Sequence, residues 1–231
     1  MGLVCLLSGC SAPVRQAVWP SGTERCARGC ADEFPVRGKA EIVELMNHPI
    51  VLQRARLLAQ TSPRLLFSSL ELGERFRPMI EEELGRQGIP SELGYIPLIE
   101  SRFQPKARGR STLGLWQLTG PTARAYGLLV NSRLDERLDP RKSTRAAAAY
   151  LADLYNQFDD WGLAVAAYNT GPARVERALR RKPGADVFDL AKARLLPTIT
   201  QTYLPKLMAT ALVAREPERF MSKAASGRTA G

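Results

Sequence analysis

Between Pro140 and Phe158 the apolar residues return with helical spacing: Ala147, Leu151, Leu154 and Phe158 stand at offsets of four, seven and eleven. A stripe of that kind must lie against other apolar surface, so it predicts a long helix packed on a core. The body repeats the pattern from about residue 40 onward, without a convincing strand alternation. Val43, Met46 and Ile50 predict a first helix, interrupted near Pro49. Leu65, Leu66, Leu70, Phe76, Met79 and Ile80 predict a longer stretch divided at Gly73 and Pro78. Ser91 is expected to N-cap a helix after the Gly88-Ile89-Pro90 stop, and Pro121 to occupy the first position of another. Trp161, Val165 and Tyr168 mark a shorter helix, and Gly171-Pro172 a break before one carrying Val175 and Leu179. Pro197 opens a last helix with Ile199, Tyr203 and Leu207. The expected fold class is mainly α.

The 231 residues suffice for one well-cored domain and a modest extension. No apolar run approaches the roughly 20 residues a membrane-spanning helix needs. The 33 Lys and Arg against 23 acids give a net charge of +10. Such a surface attracts nucleic acid, anionic membrane or an anionic polymer. The cations are scattered, with small clusters at Arg108/Arg110 and Arg180–Lys182, and no aromatic residues interleave with them as a single-strand platform requires. Nucleic acid is therefore not an expected partner. The one histidine, His48 before Pro49, is expected at a helix edge on the surface, and argues against Ser-His-Asp, Cys-His and zinc-hydrolase chemistry. Neither a metal nor an organic cofactor is implied.

Leu7-Ser8-Gly9-Cys10 resembles a bacterial lipobox, which would make residues 1–10 a lipoprotein signal and Cys10 the lipidated residue. The match departs at the front, where no Lys or Arg precedes a short apolar stretch. Residues 11–38, rich in Arg, Gly, Ser and Pro, read as a flexible tether. Cys26 and Cys30 lack a second pair of zinc ligands; a local disulfide and free thiols both remain open. Residues 39–86 read as an N-terminal helical extension, 87–216 as the main domain and 217–231 as a frayed tail.

Glu100 carries the sharpest chemical signal. On a helix starting at Glu92, the residues Leu93, Ile96 and Glu100 share the apolar face. A carboxyl beside apolar neighbours is poorly solvated when charged, so its pKa rises and it can act as a proton donor near neutral pH. On spacing alone, a helix-end glutamate in a surface ion pair is the simpler account.

The surrounding motifs change that balance. The run Ile89-Pro90-Ser91-Glu92-Leu93-Gly94-Tyr95-Ile96-Pro97-Leu98-Ile99-Glu100-Ser101 resembles the catalytic-glutamate segment of the goose-lysozyme-like lytic transglycosylases. Gly114-Leu115-Trp116-Gln117, Ala167-Tyr168-Asn169 and Thr202-Tyr203-Leu204-Pro205-Lys206 resemble the later motifs of that family, in the same order. The resemblance covers roughly residues 75–215 and is nearest to membrane-bound members whose domain begins with a helical N-terminal piece. It implies a lysozyme-like (SLT-type) helical catalytic domain over 87–216. Some such members carry C-terminal LysM repeats, for which this chain ends too early, so glycan affinity is expected from the cleft and the surface charge.

The implied reaction is cleavage of the bond between N-acetylmuramic acid and N-acetylglucosamine, leaving a 1,6-anhydromuramyl end. Glu100 would act as acid and then base. The stretch 103–134 contains no Asp or Glu, which fits a site without a nearby second carboxylate, while Asp135, Asp139, Asp159 and Asp160 remain possible through space. The resemblance implies substrate contacts by Ser101, Ser111, Gln117, Tyr168, Asn169 and Tyr203. Gly114 would let backbone approach the ligand, and Gln117 would serve a saccharide or the catalytic carboxylate. Trp116, Ser101 and Tyr203 each have a structural alternative: core filler, helix terminus and core aromatic. The expected setting is the periplasmic face of the cell envelope, with peptidoglycan glycan strands as partner, a membrane reached through lipid, and a monomeric chain. Two other readings remain: a hydrolytic muramidase, and a non-catalytic peptidoglycan-binding scaffold.

Overall fold

Proline sets most of the helix starts. A computed structural model describes residues 36–220, and within them α1 (Lys39–Asn47) is followed by α2 (Pro49–Thr61), α3 (Pro63–Glu74) and α4 (Arg77–Gly85). A 3-10 helix, Ser91–Tyr95, runs into α5 (Ile96–Ser101), and a short turn pair β1 (Thr112–Leu113) and β2 (Leu118–Thr119) precedes α6 (Gly120–Ala125). Then come α7 (Pro140–Phe158), α8 (Trp161–Thr170), α9 (Pro172–Arg181), α10 (Val187–Lys192), α11 (Thr198–Arg215) and α12 (Pro217–Phe220). Proline lies in the first turn of α2 to α7 and α9, where its missing N–H is not needed and its φ is already helical. Aspartates finish the job elsewhere. Asp139, Asp160 and Asp186 accept from the backbone N–H of Lys142, Leu163 and Asp189 at 2.8, 2.6 and 2.7 Å, capping α7, α8 and α10.

The fold is mainly α and built around α8, in which every residue from Trp161 to Ala167 is buried. A helix apolar on all sides has to be enclosed, and α7, α9 and α11 enclose it. On the far side α2 lies along α11, burying Val51, Ala55 and Ala59 in the same core as Leu207, Met208 and Ala211. The segment read as an extension therefore shares its hydrophobic core with the main domain. Ion pairs at the surface add to the join: Arg141 and Arg145 of α7 reach Glu83 of α4 at 3.4 and 3.2 Å.

Several local expectations are corrected. Of the apolar positions expected near the N-terminus, Met46 is buried but Val43 and Ile50 face outward, with Ile42 and Val51 buried in their stead. His48 separates α1 from α2, capping the latter through Nδ1 and stacking on Phe188 at 3.6 Å. Ser91 is not a cap: it begins the 3-10 helix, with Pro90 at the cap position. Pro121 sits one residue inside α6, whose cap is Thr119. Ile199 is 72% exposed on the outward side of the first turn of α11, whereas Thr200 beside it is buried, as are Tyr203 and Leu207. The tail expected to fray from 217 begins with α12, whose Pro217 is buried; residues 221–231 lie outside the described residues. The β1–β2 pairing, Thr112 with Thr119 and Leu113 with Leu118, is too short to leave an alternation in the sequence.

Candidate active site

Glu100 stands in the last turn of α5, and the chain reverses directly after it. Arg102 and Phe103 both take left-handed conformations, with φ of 52° and 56°. The Phe103 N–H donates back to the Pro97 carbonyl at 3.2 Å and that of Arg102 to Leu98 at 3.2 Å, a nested pair of bonds that closes the helix end. Two such residues in a row, neither of them glycine, cost on the order of 1 kcal/mol each. The fully buried Phe103 ring secures the reversal by packing on Gly73, where an added Cβ would come within 2.6 Å of the ring. The helix end carrying Glu100 is thus held by packing from α3.

Around it lies a cleft of about 480 Å³. One wall is α5 and its reversal, with Leu98, Glu100, Ser101 and Arg102; α11 contributes Lys206 and Thr210. The opposite wall comes from α2 and α3, through Leu58, Ser62, Leu65 and Leu66. Among the described residues, Glu100 is the sole carboxylic side chain lining the cleft. Burial raises its pKa above the ordinary carboxylate value; the Tyr203 hydrogen bond and the Lys206 charge pull the other way and only partly offset it. The Tyr203 hydroxyl donates to Glu100 Oε1 at 2.6 Å. Lys206 lies one turn along the same helix. Its ammonium is held below its ordinary pKa, first by partial burial and then by Arg54, with Glu100 opposing. The site therefore holds a poorly solvated carboxyl with one hydroxyl partner and a lysine on the same helix as that partner.

The four acids left open as partners are placed elsewhere. Asp135 pairs with Arg137 at 2.6 Å, Asp139 and Asp160 are helix caps, and Asp159 ends α7 in a left-handed conformation.

The remaining sequence candidates support the site more than they line it. Ser101 is buried, with Oγ 2.7 Å from the Leu115 carbonyl and 3.0 Å from that of Pro97, tying α5 to the turn that carries Trp116. Trp116 is itself fully buried, its Nε1 donating to Thr144 Oγ1 at 2.8 Å. Gln117 corrects the expectation of a ligand-facing amide. Its Nε2 donates to the carbonyls of Gly114 and Ala107 at 2.8 and 3.1 Å, and its Oε1 accepts from Thr112 at 2.7 Å. All of its bonds knit the β1–β2 loop. Gly114 likewise faces backbone, not ligand. At φ 83° an added Cβ would fall 1.9 Å from the Arg137 carbonyl.

Tyr168 is bound through its hydroxyl to the Trp116 carbonyl at 2.8 Å. Its own pKa is driven well up by burial and by the nearby charge of Glu100. Asn169 accepts from Thr200 at 2.8 Å, so its side-chain NH2 remains without a partner among the described residues. Ser111 is exposed in the loop before β1 and outside the cleft lining. Cys10, Cys26 and Cys30 lie outside the described residues. Sequence reasoning missed Lys206, although its three-residue spacing from Tyr203 places both on one helical face. It also missed the α2–α3 wall, for which no local signal existed.

Comparison with known proteins agrees with this geometry. A family model described as "Transglycosylase SLT domain" matches residues 77–189. The chain is 35% identical over 153 residues to membrane-bound lytic murein transglycosylase D of Escherichia coli, covering 64% of this chain and 33% of that protein. It is 30% identical over 162 residues to membrane-bound lytic murein transglycosylase F 2 of Alkalilimnicola ehrlichii, covering 64% and 35%. The chain thus spans about a third of the length of these relatives. Its fold matches the 70 kDa soluble lytic transglycosylase of Escherichia coli with a TM-score of 0.55 at 23% identity, covering 80% of this chain and 32% of that one.

Proposed function

We propose that this chain, whose residues 77–189 match the transglycosylase SLT domain model, is a peptidoglycan lytic transglycosylase with Glu100 as its acid and base. The observation that carries the reading is a single, poorly solvated carboxyl in a cleft whose lining, among the described residues, holds no second acid. Glycosidases that use water or a protein nucleophile place two carboxyls roughly 5 to 9.5 Å apart. With one carboxyl in the lining, this cleft favours a nucleophile supplied by the sugar itself.

Glu100, protonated because its charged form is desolvated, gives its proton to the glycosidic oxygen between N-acetylmuramic acid and N-acetylglucosamine. The C1–O bond breaks and the departing sugar leaves with that proton. The resulting carboxylate, held by the Tyr203 hydroxyl, then takes the proton of the muramyl C6 hydroxyl as its oxygen bonds to C1. One bond breaks, one forms, no water is consumed, and the product ends in a 1,6-anhydro ring. The unengaged NH2 of Asn169 suits an N-acetyl carbonyl. Gln117 and Ser101 act on the substrate only through the loop and helix that they hold.

Incubation with peptidoglycan sacculi should release fragments about 18 Da lighter than hydrolysed ones, and Glu100→Gln should lower the rate by about 10²–10⁴-fold. Reducing ends in place of anhydro ends would make the chain a muramidase, and no release by the wild type would favour a binding scaffold. Attachment to the periplasmic face of a membrane through a lipid on Cys10 belongs to the same reading. It is supported by the membrane-bound relatives and would fail if Cys10→Ala left incorporation of labelled palmitate unchanged.

A further inference from the structure

Outside the cleft, a concavity of about 260 Å³ between α9 and the segment leading into α11 is lined by four arginines. Arg174, Arg177 and Arg181 project from α9, and Arg194 faces them from across the gap. None of the four is in an ion pair among the described residues; the one side-chain bond in the group runs from Arg174 to Thr170 at 3.2 Å. Arg194 adopts a left-handed backbone, φ 55°, an uncommon conformation for a residue with a side chain. Leu196 and Pro197 form an apolar floor beneath the guanidinium groups.

Four guanidinium groups around one small hollow repel each other, and the like charges are relieved when an oxyanion enters. Guanidinium groups grip a carboxylate by two parallel hydrogen bonds. The hollow is joined through the chain and two hydrogen bonds to Asn169, the residue read above as an N-acetyl contact. Thr170, bonded to Arg174, follows Asn169 in the chain, and Pro197 precedes the turn of α11 whose Thr200 holds Asn169.

We propose that this arginine hollow binds a carboxylate of a stem peptide carried by the glycan strand lying in the cleft. The proposal rests on the transglycosylase reading above. An apolar floor under a cationic rim fits a short peptide of small side chains ending in a carboxylate, and the adjacency to Asn169 places that peptide on the strand being cut. An anionic lipid headgroup is the competing occupant. It would leave the apolar floor and the shared Asn169 edge without a use.

The test compares the full chain with the double variant Arg177→Gln/Arg181→Gln on two polymers: intact sacculi, and glycan strands stripped of peptides by an amidase. The wild type should cut peptide-bearing strands faster, and the ratio of kcat/KM values on the two polymers should fall at least fivefold in the variant. Arg177→Lys/Arg181→Lys, which keeps the charge, should recover part of that ratio. A variant ratio equal to that of the wild type overturns the proposal, as does an equal loss on both polymers. Loss of binding to phosphatidylglycerol vesicles with the ratio intact would also overturn it, in favour of the membrane. Absence of anhydro products from both polymers with the wild type is a different failure: it sinks the enzymatic reading and the hollow's role with it.

Discussion

Tyr203 offers Glu100 a single hydrogen bond, and a bond to a charged acceptor contributes about 1.5–3 kcal/mol. That bond favours the carboxylate over the acid, opposing the burial that raises the Glu100 pKa. Removing it should leave the carboxyl protonated to higher pH and deprive the base step of its stabilised anion. Tyr203→Phe is therefore expected to cut kcat about tenfold and to move the Glu100 limb of the kcat–pH profile to higher pH. If kcat fell with the limb unmoved, the hydroxyl would be acting on the substrate and not on Glu100. A rise in KM at constant kcat would argue the same way.

At the scale of elements, the decisive piece is the β1–β2 loop, which has no core of its own. It is held from both sides: Ser101 and Tyr168 bind the carbonyls of Leu115 and Trp116, Gln117 closes it from within, and Gly114 lies against the 3-10 turn Glu136–Leu138. A methyl group at Gly114 meets a main-chain carbonyl at 1.9 Å, a clash no side chain can relieve, and the φ is unfavourable besides. Gly114→Ala should lower stability by about 3 kcal/mol or more. Gly171, also at positive φ but facing open space, should lose less as alanine, about 1–3 kcal/mol from backbone strain alone. Urea titration of both variants distinguishes a backbone clash from mere conformational preference; equal losses would refute the clash.

Over the whole molecule, the N-terminal segment is fastened to the buried helix α8. The Arg37 carbonyl accepts from Trp161 Nε1 at 2.9 Å, and Glu41 Oε1 accepts from the backbone N–H groups of Trp161 and Gly162. Burial, and next the like charge of Asp160, raise the Glu41 pKa to about 7. A carboxyl whose folded pKa lies above its unfolded value stabilises fully below the unfolded pKa, and that contribution is lost as pH rises through the folded value. Stability should thus decline between about pH 4.5 and 7 by on the order of 1 kcal/mol, the half-exposed site being discounted for solvent screening. Glu41→Gln should flatten this part of the Tm–pH curve. A slope unchanged in that variant would assign the effect to another group.

Helix class and most helix boundaries were legible in the sequence because their causes are local. Proline in a first turn, aspartate at a cap and the stripe from Ala147 to Phe158 act within a few residues of chain. The poor solvation expected of Glu100 agrees with its raised pKa, although the helix expected from Glu92 is a 3-10 turn as far as Tyr95 and α-helical only from Ile96. The stripe positions Val43, Ile50 and Ile199 were misread, since which side of a helix is covered depends on what packs there. The same dependence hid the α2–α3 wall of the cleft. Leu58 and Leu65 meet Glu100 only because α2 lies along α11, a pairing across most of the chain that no local pattern records. Gln117 read as a ligand contact because its chemistry permits one. Only the folded loop shows its donors and acceptor already bound. The arginines of α9 could be counted from the sequence, yet the hollow joins three of them, Arg174, Arg177 and Arg181, to Arg194 from another segment. Short-range forces wrote the helices into the sequence, and long-range packing chose which side chains would face one another.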